Sequence, residues 1–162
     1  LTEQILDFAR TGTVDPTTED PAEVARSAVD ESGQSGVDLF IKDGLPSWPM
    51  DRLRIERVLI NLVKNGVQAS PPEAVVDLTV KTDEDGLVFE VRDRGTGLPP
   101  GEEAWIFEPF HTKRVRGTGL GLAVSKQIVE AHKGRISAQN HPEGGAVFRI
   151  WLPPAEAEEA ST

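Results

Sequence analysis

The sequence predicts an α/β two-layer sandwich, with about three helices packed on one mixed, mostly antiparallel sheet of about five strands. Two observations favour this class. Apolar residues recur at helical spacing in some segments of the chain and alternate with polar residues in others. An acidic turn, Asp83-Glu84-Asp85-Gly86, joins two of the alternating segments as a hairpin. Helices and strands of this kind bury their apolar faces by packing in two layers.

The N-terminal part of the chain precedes the predicted domain. Leu1, Ile5 and Phe8 are spaced as on one face of a helix, so residues 1–10 resemble the last turns of a helix that begins upstream. Residues 11–20 are polar and contain Gly and Pro, which predicts a linker. The domain itself is expected to span residues 21–153.

Three helices are predicted within the domain. The first runs from Pro21 to about Ser32. The second is a long helix that Asp51 can cap and that Ser70-Pro71-Pro72 ends. The third follows a glycine-rich segment and continues to about Lys133, with apolar residues at helical spacing.

Five strands account for the alternating segments. They are predicted at residues 37–42, 75–82, 87–92, 134–139 and 146–152. Residues 154–162 are small and acidic, which predicts a disordered tail.

Composition excludes several classes of protein. The 162 residues are 38% hydrophobic, enough for one domain with a core, and no apolar run is long enough to span a membrane. The chain has no cysteine, so it is neither a disulfide scaffold nor a thiolate metal site, and a reducing, cytoplasmic setting is expected. A formal charge of -10 opposes nucleic-acid binding, which needs a basic surface.

Two asparagines on the long helix stand out. Asn61 and Asn65 are four residues apart and therefore share a face of the helix, with Lys64 beside them. Buried amides are ordinarily hydrogen-bonded within the protein, which is one interpretation of the pair. The other is a ligand site, because an amide oxygen suits Mg²⁺ that keeps its remaining contacts to water and phosphate.

A carboxylate followed by two glycines ends one of the strands. Asp93 precedes Gly95 and Gly97, and its side chain could accept a hydrogen bond from an exocyclic amine. The glycines lack Cβ atoms, so a flat ring could approach the backbone. An ordinary Asx turn after a strand explains the same residues.

A second glycine motif opens the third helix. Gly117-Thr118-Gly119-Leu120-Gly121 places free N–H groups and a helix dipole where they favour a polyanion. The motif lacks the ending of a P-loop, and its third glycine comes one residue too early for a dinucleotide fingerprint. The preceding residues include Lys113, Arg114 and Arg116, a basic cluster in an acidic chain.

Taken in order, these motifs resemble the N, G1, F and G2 boxes of the catalytic ATP-binding domain of two-component sensor histidine kinases, which has the Bergerat fold. The resemblance covers about residues 20–153. The four boxes are Asn61-x-x-x-Asn65, Asp93-x-Gly95-x-Gly97, Phe107-Glu108-Pro109-Phe110 and Gly117-x-Gly119-x-Gly121.

The resemblance implies ATP and Mg²⁺ as cofactors and gives the residues their roles. Asp93 would bind the adenine, Asn65 the Mg²⁺, and Asn61 would occupy the catalytic position. Residues 99–116 would form a lid over the ATP, with Phe107 and Phe110 as its hinge. The ATP-binding residues implied are Asn61, Lys64, Asn65, Asp93, Gly95, Gly97, Lys113, Arg116, Gly117, Thr118, Gly119, Leu120 and Gly121.

The residue at position 61 separates the chemistries of this superfamily. Its ATPases carry a glutamate there that activates water, whereas this chain has Asn61. The resemblance therefore implies transfer of the γ-phosphate to a histidine rather than hydrolysis. Three alternatives remain: a serine kinase of the anti-sigma type, an ATPase that acts as a conformational switch, and a non-catalytic interaction module that kept the fold.

The resemblance also implies partners outside this chain. The acceptor histidine would belong to a helical dimerisation domain, of which residues 1–10 are the expected remnant, and a response regulator would act downstream. The chain's own histidines, His111, His132 and His141, are assigned ordinary surface roles. The isolated domain is expected to be a monomer and the parent protein a homodimer, with membrane attachment left open.

Overall fold

The computed structural model describes residues 12–108 and 121–155. The strands in these ranges are β1 Thr17–Glu19, β2 Val37–Ile41, β3 Trp48–Met50, β4 Val76–Asp83, β5 Gly86–Arg92, β6 Arg135–Asn140 and β7 Ala146–Leu152. Five of them form one sheet in the order β2-β4-β5-β7-β6. Strands β2 and β4 run parallel, and the three other neighbouring pairs run antiparallel. The predicted mixed sheet is thus confirmed.

The described helices are α1 Pro21–Ser32, α2 Arg52–Ala69 and α3 Gly121–Ala131. Local capping explains where α1 and α2 begin, because Asp20 accepts a hydrogen bond from the Ala22 N–H and Asp51 one from the Arg54 N–H. Helix α1 ends at Gly33, which has the left-handed φ of 71° that glycine adopts without strain.

The core lies between the helices and one face of the sheet. Val76, Leu78 and Val80 alternate along β4 and are fully buried, as period-2 patterning requires. Ile55 and Leu59 of α2 are equally buried one turn apart. The other face of the sheet carries ion pairs, including Arg149 with Asp83 at 2.7 Å. The predicted two-layer architecture is therefore confirmed.

A small ribbon was not predicted. Strand β1 lies in the segment expected to be a linker and pairs antiparallel with β3. The Asp15 N–H donates to Asp51 Oδ2 at 2.8 Å, so the segment is tied to the first turn of α2. Each strand has three residues, too few to show an alternating pattern, and Pro49 argues against a strand. The folded part of the chain therefore begins before Pro21.

Several expectations concern residues outside the described ranges. They include the helix end within residues 1–10, residues 156–162 of the tail and much of the lid. The described beginning of the lid contains a short 3₁₀-helix, Glu102–Ala104. In the described part of the chain, no helix is long and apolar enough to cross a membrane.

His132 joins the ends of two helices, and its expected surface role is wrong. Its Nε2 accepts the Asp51 N–H at 2.9 Å, and its Nδ1 lies 2.8 Å from the Ile128 carbonyl oxygen. A nitrogen that accepts a backbone N–H carries no proton, so this ring is neutral and donates through Nδ1. Burial lowers the pKa of His132, opposed in part by the Ile128 carbonyl and the charge of Asp51.

We predict that this histidine makes folding stability depend on pH. Since the pKa is lowered from its usual 6.5, the unfolded chain binds the proton more readily than the folded chain. The free energy of unfolding should fall as the pH drops below about 6.5, by at most about 1.4 kcal/mol per pH unit. Urea unfolding between about pH 8 and pH 5.5 measures this slope.

The matched variants are His132→Gln, which keeps a donor and an acceptor without a titrating ring, and His141→Gln in the β6–β7 turn. We expect the slope near pH 6 to flatten in the first variant and to persist in the second. If the free energy of unfolding falls equally steeply with decreasing pH in the unchanged protein and in His132→Gln, His132 is not responsible for the pH dependence.

Candidate functional site

Helix α2 brings Asn61 against the start of α3. The Asn61 Nδ2 donates to Ser125 Oγ at 3.4 Å, and Ser125 is buried. A Cβ built on Gly121 would lie 2.7 Å from Asn61 Oδ1, closer than a side chain tolerates. Gly121 therefore allows the Asn61 amide to pack against the first residue of α3. The free N–H groups at the N-terminus of a helix such as α3 favour anions.

Asn65 lies one turn further along α2. The Asn65 Nδ2 is buried and has no hydrogen-bond partner among the described residues. Since buried amides are nearly always paired, this amide group is available to a ligand. Lys64 precedes it and is half-buried. No internal hydrogen bond among the described residues thus accounts for this Nδ2, and a ligand-binding role for Asn65 stays a prediction.

Asn65 is compatible with a Mg²⁺ site only if the nucleotide supplies most of the ligands of the ion. No group of three or more histidine, aspartate or glutamate side chains converges on a metal-sized site in residues 12–108 and 121–155. Mg²⁺ commonly takes one or two protein oxygens and completes its shell with water and phosphate. The unpaired Asn65 Nδ2 is a hydrogen-bond donor and cannot bind a cation, so only Asn65 Oδ1 would serve as a protein ligand of Mg²⁺.

Asp93 follows β5 and is almost completely buried, with 3% of its surface exposed. Its Oδ1 accepts two backbone hydrogen bonds, from the Gly95 N–H at 2.9 Å and the Ala146 N–H at 3.1 Å. The Asp93 N–H in turn donates to the Ala146 carbonyl at 3.0 Å. Because both bonds to the carboxylate use Oδ1, Oδ2 is not engaged by them.

Two further glycines, which were not predicted from the sequence, lie against this aspartate. Gly145 has a φ of 85°, and a Cβ there would collide with the Asp93 carbonyl. Gly66 of α2 faces the Asp93 side chain, with its Cβ position 3.4 Å from the Asp93 Cβ. The Gly144-Gly145 pair was visible as a turn signal, but nothing in the sequence linked it to Asp93.

The glycines of the first motif have a structural reason that differs from the predicted one. A Cβ on Gly95 would collide with the carbonyl of Ala69, the last residue of α2. Gly97 has a φ of 86°, and its Cβ would lie 2.7 Å from Asn140 Oδ1. Both glycines are therefore needed for packing of the protein against itself, whether or not a flat ring also approaches them.

Arg94 and Ser70 hold the start of this loop. The Arg94 N–H donates to Ser70 Oγ at 2.9 Å, and Ser70 Oγ donates to the Gly66 carbonyl at 2.8 Å. The Arg94 guanidinium forms an ion pair with Asp77 at 2.9 Å. The loop after β5 is thus attached both to the end of α2 and to β4.

Helix α2 relates the two parts of the site. Asn65 precedes Gly66, which faces Asp93, whereas Asn61 contacts Gly121. With a rise of 1.5 Å per residue, positions 61 and 66 are about 7.5 Å apart along the helix axis. The structure therefore brings together Asn61, Asn65, Asp93 and Gly121, in the order expected for a ligand with a base at one end and phosphates at the other.

Of the expected hinge, only Phe107 can be placed. It is buried, and its ring meets that of Phe148 edge to face, with centroids 6.1 Å apart and planes at 89°. Phe107 therefore packs in the core at the described beginning of the predicted lid. The remaining predicted residues, Phe110, Lys113, Arg114, Arg116, Gly117, Thr118, Gly119 and Leu120, lie outside the described ranges.

Comparison with known proteins identifies the family of this chain. Residues 50–156 match the family model described as histidine kinase-, DNA gyrase B-, and HSP90-like ATPase. Over 129 residues the chain is 40% identical to the sensor protein KdpD of Escherichia coli (strain K12), a match that covers 77% of this chain. It spans only 14% of the length of KdpD.

Two solved structures show the same fold. The catalytic domain of the histidine kinase ThkA, solved without nucleotide, superimposes with a TM-score of 0.75 at 28% identity, covering 87% of this chain and 97% of that one. Full-length ShkA in complex with AMPPNP gives 0.79 at 28% identity, covering 94% of this chain and 35% of that one. The chain belongs to the family of histidine kinase-, DNA gyrase B- and HSP90-like ATPases, in which its sequence and fold place it with the catalytic domains of sensor histidine kinases.

Proposed function

We propose that this domain binds Mg-ATP and transfers the γ-phosphate to a histidine on a separate helical dimerisation domain. The observation that carries the proposal is the neutral amide of Asn61, which rests on Gly121 at the start of α3. A phosphate group bound at that helix end would lie beside an amide rather than a carboxylate. An amide cannot take a proton from water, so it favours transfer to a nucleophile that needs no such activation.

The carboxylate on α2 is engaged elsewhere. Glu56 is buried, and its Oε2 accepts from Arg52 Nε at 2.8 Å. Five residues separate it from Asn61, which turns it about 500° around the helix and away from the Asn61 face. Asp93 is likewise committed through Oδ1 to two backbone N–H groups. This arrangement supports slow hydrolysis of bound ATP.

The proposed reaction requires little covalent chemistry from the residues of this chain. A nitrogen–phosphorus bond forms to the acceptor imidazole while the bond from the γ-phosphorus to the ADP oxygen breaks. The domain binds and orients the nucleotide through Asp93 at the base and the start of α3 at the phosphates. Asn65 would hold Mg²⁺, which when bound neutralises charge on the phosphate oxygens.

The proposal extends to partners and location. The AMPPNP complex of ShkA supports nucleotide binding by this fold. The sensor-kinase relatives support a dimerisation domain and a response regulator as partners, a homodimeric parent, and action in the cytoplasm, where ATP is available.

We predict that Asp93→Asn weakens ADP binding without unfolding the domain. Asparagine can still accept the two backbone N–H groups, but it presents an NH₂ where Oδ2 would accept from the adenine amine. The loss should be about 1.5 to 3 kcal/mol of binding free energy, measured by calorimetric titration with ADP. Asp38→Asn on β2 removes the same charge at an exposed position and should bind ADP normally. Unchanged affinity in folded Asp93→Asn would remove Asp93 from the site.

We predict that Asn65→Ala removes the contribution of Mg²⁺. Titrations with ADP in Mg²⁺ and in EDTA should differ for the unchanged protein and agree for the variant, because the amide ligand is gone. Gln68→Ala, an exposed polar residue of the same helix, should behave as the unchanged protein. If Mg²⁺ strengthens ADP binding equally in Asn65→Ala, another residue holds the metal.

We predict that the domain transfers phosphate faster than it hydrolyses ATP. Without an acceptor, turnover should lie far below the ~10 s⁻¹ typical of enzymes. With a cognate helical domain added in trans, radiolabel from [γ-³²P]ATP should appear on that domain as an acid-labile, base-stable phosphohistidine. Asn61→Asp places a carboxylate in the same volume and should raise the ratio of hydrolysis to transfer. Brisk ATP turnover without an acceptor would favour an ATPase, and an acid-stable product a serine kinase.

A further inference from the structure

The turn between β6 and β7 lies beside the Asp93 loop, which we define as residues 93–98. Strand β6 ends at Asn140, which pairs with Ala146 at the start of β7. The Ala146 carbonyl accepts the Asp93 N–H at 3.0 Å, and the Ala146 N–H donates to Asp93 Oδ1 at 3.1 Å. This turn therefore fixes the first residue of the loop.

The same turn fixes the last residue of the loop through a side chain. Asn140 Oδ1 accepts the Leu98 N–H at 2.7 Å, and Asn140 Nδ2 donates to the Leu98 carbonyl at 3.1 Å. One amide thus satisfies both polar groups of one residue, as a neighbouring strand would. The pattern also fixes which end of the amide is oxygen, since a reversed amide would set donor against donor.

Burial makes this pair of bonds hard to replace. Leu98 is 4% exposed and belongs to the core, so water has little access to its peptide groups. Buried backbone groups without a partner are rare and costly. Gly97 packs against the Asn140 amide, because a Cβ built on Gly97 would lie 2.7 Å from Asn140 Oδ1. The amide therefore also restricts the path of the loop backbone.

We infer that Asn140 is a positioning residue for recognition of the nucleotide base. Only four residues lie between the two points at which the turn holds the Asp93 loop, Asp93 bonded to Ala146 and Leu98 bonded to Asn140. Releasing Leu98 frees one end of the loop, and the Asp93 carboxylate and Gly95 then lose their fixed relation to the base. This role rests on the proposed binding of ATP, and it assigns Asn140 no contact with the nucleotide.

Calorimetric titration with ADP and with inorganic triphosphate tests the inference. Asn140→Ala should bind ADP about tenfold more weakly, because two backbone groups lose their partner and the loop shifts. Its affinity for triphosphate, which has no base, should be unchanged. Gln139→Ala, an exposed neighbour on β6, should bind both ligands as the unchanged protein does.

A double-mutant cycle separates positioning of Asp93 from general support of the fold. If Asn140 acts through Asp93, Asn140→Ala should weaken ADP binding much less in the Asp93→Asn background than in the unchanged protein. Additive losses, or equal losses for ADP and triphosphate, would overturn the inference. So would unchanged ADP affinity in folded Asn140→Ala.

Two controls keep the outcomes distinct. Should Asn140→Ala fail to fold by circular dichroism, Asn140→Asp replaces it, since it has the same size and keeps the acceptor for Leu98 but opposes an oxygen to the Leu98 carbonyl. The same weakening of ADP binding is expected of it. If the unchanged protein binds no ADP, the proposed function falls and this inference falls with it, whereas normal ADP binding by both variants overturns the inference alone.

Discussion

Burial of the Asp93 carboxylate is the constraint on which the rest of the site depends. A carboxylate removed from water must be hydrogen-bonded or the fold pays several kcal/mol. Here one oxygen is satisfied by two backbone N–H groups, from Gly95 and Ala146. The Gly95 N–H reaches it because the chain turns after Asp93, where Gly95 packs against the end of α2. The Ala146 N–H reaches it because Gly145 allows the β6–β7 turn to lie against the Asp93 carbonyl.

Helix α2 connects the surroundings of Asp93 with the other end of the candidate site, at the start of α3. Gly66 lies against the Asp93 side chain, and Gly121 allows α3 to lie against Asn61 on the same helix. Ser70, the residue that ends α2, bonds the backbone of Arg94 in the loop after β5. Because one helix touches both parts, the distance between the base and phosphate ends of the site is set by helix geometry, which deforms little. The described residues of the candidate site are therefore held in place by contacts within the protein, which would lower the entropic cost of binding the proposed nucleotide.

The sequence predicted the features that depend on local patterns. The cap Asp51, the hairpin after β4 and the period-2 burial of β4 are properties of short segments, and all are found. The four motifs also identified Asn61, Asn65 and Asp93, because residue type and order carry the family pattern. The missed features join residues far apart in the chain. Asn140 bonds Leu98 across 42 residues, and Asn61 bonds Ser125 across 64.

Such long-range contacts leave no periodic signal. An asparagine at the end of a strand and a serine within a helix have many ordinary explanations, so neither could be singled out before the fold was known. The strands β1 and β3 were missed for a related reason, since three residues form a strand only when a partner from elsewhere in the chain lies beside them. The His132 ring belongs to the same class, because its partner Asp51 is 81 residues away.

The glycines show how one residue type can meet two demands at once. The sequence suggested that Gly95, Gly97 and Gly121 leave space for a nucleotide, whereas the structure shows that each also leaves space for another part of the protein. The two explanations agree physically. A backbone packed closely against Ala69, Asn140 or Asn61 is held in place, and a held backbone can present its N–H groups to a ligand without first being ordered.

At Asn61 the same contact limits the chemistry, because the amide that touches Gly121 also donates to Ser125. An ionised glutamate there would be one methylene longer against Gly121 and would have no proton to donate. The packing at Gly121 therefore favours a neutral amide at position 61, where the resemblance to the ATPases of this superfamily would place a carboxylate base.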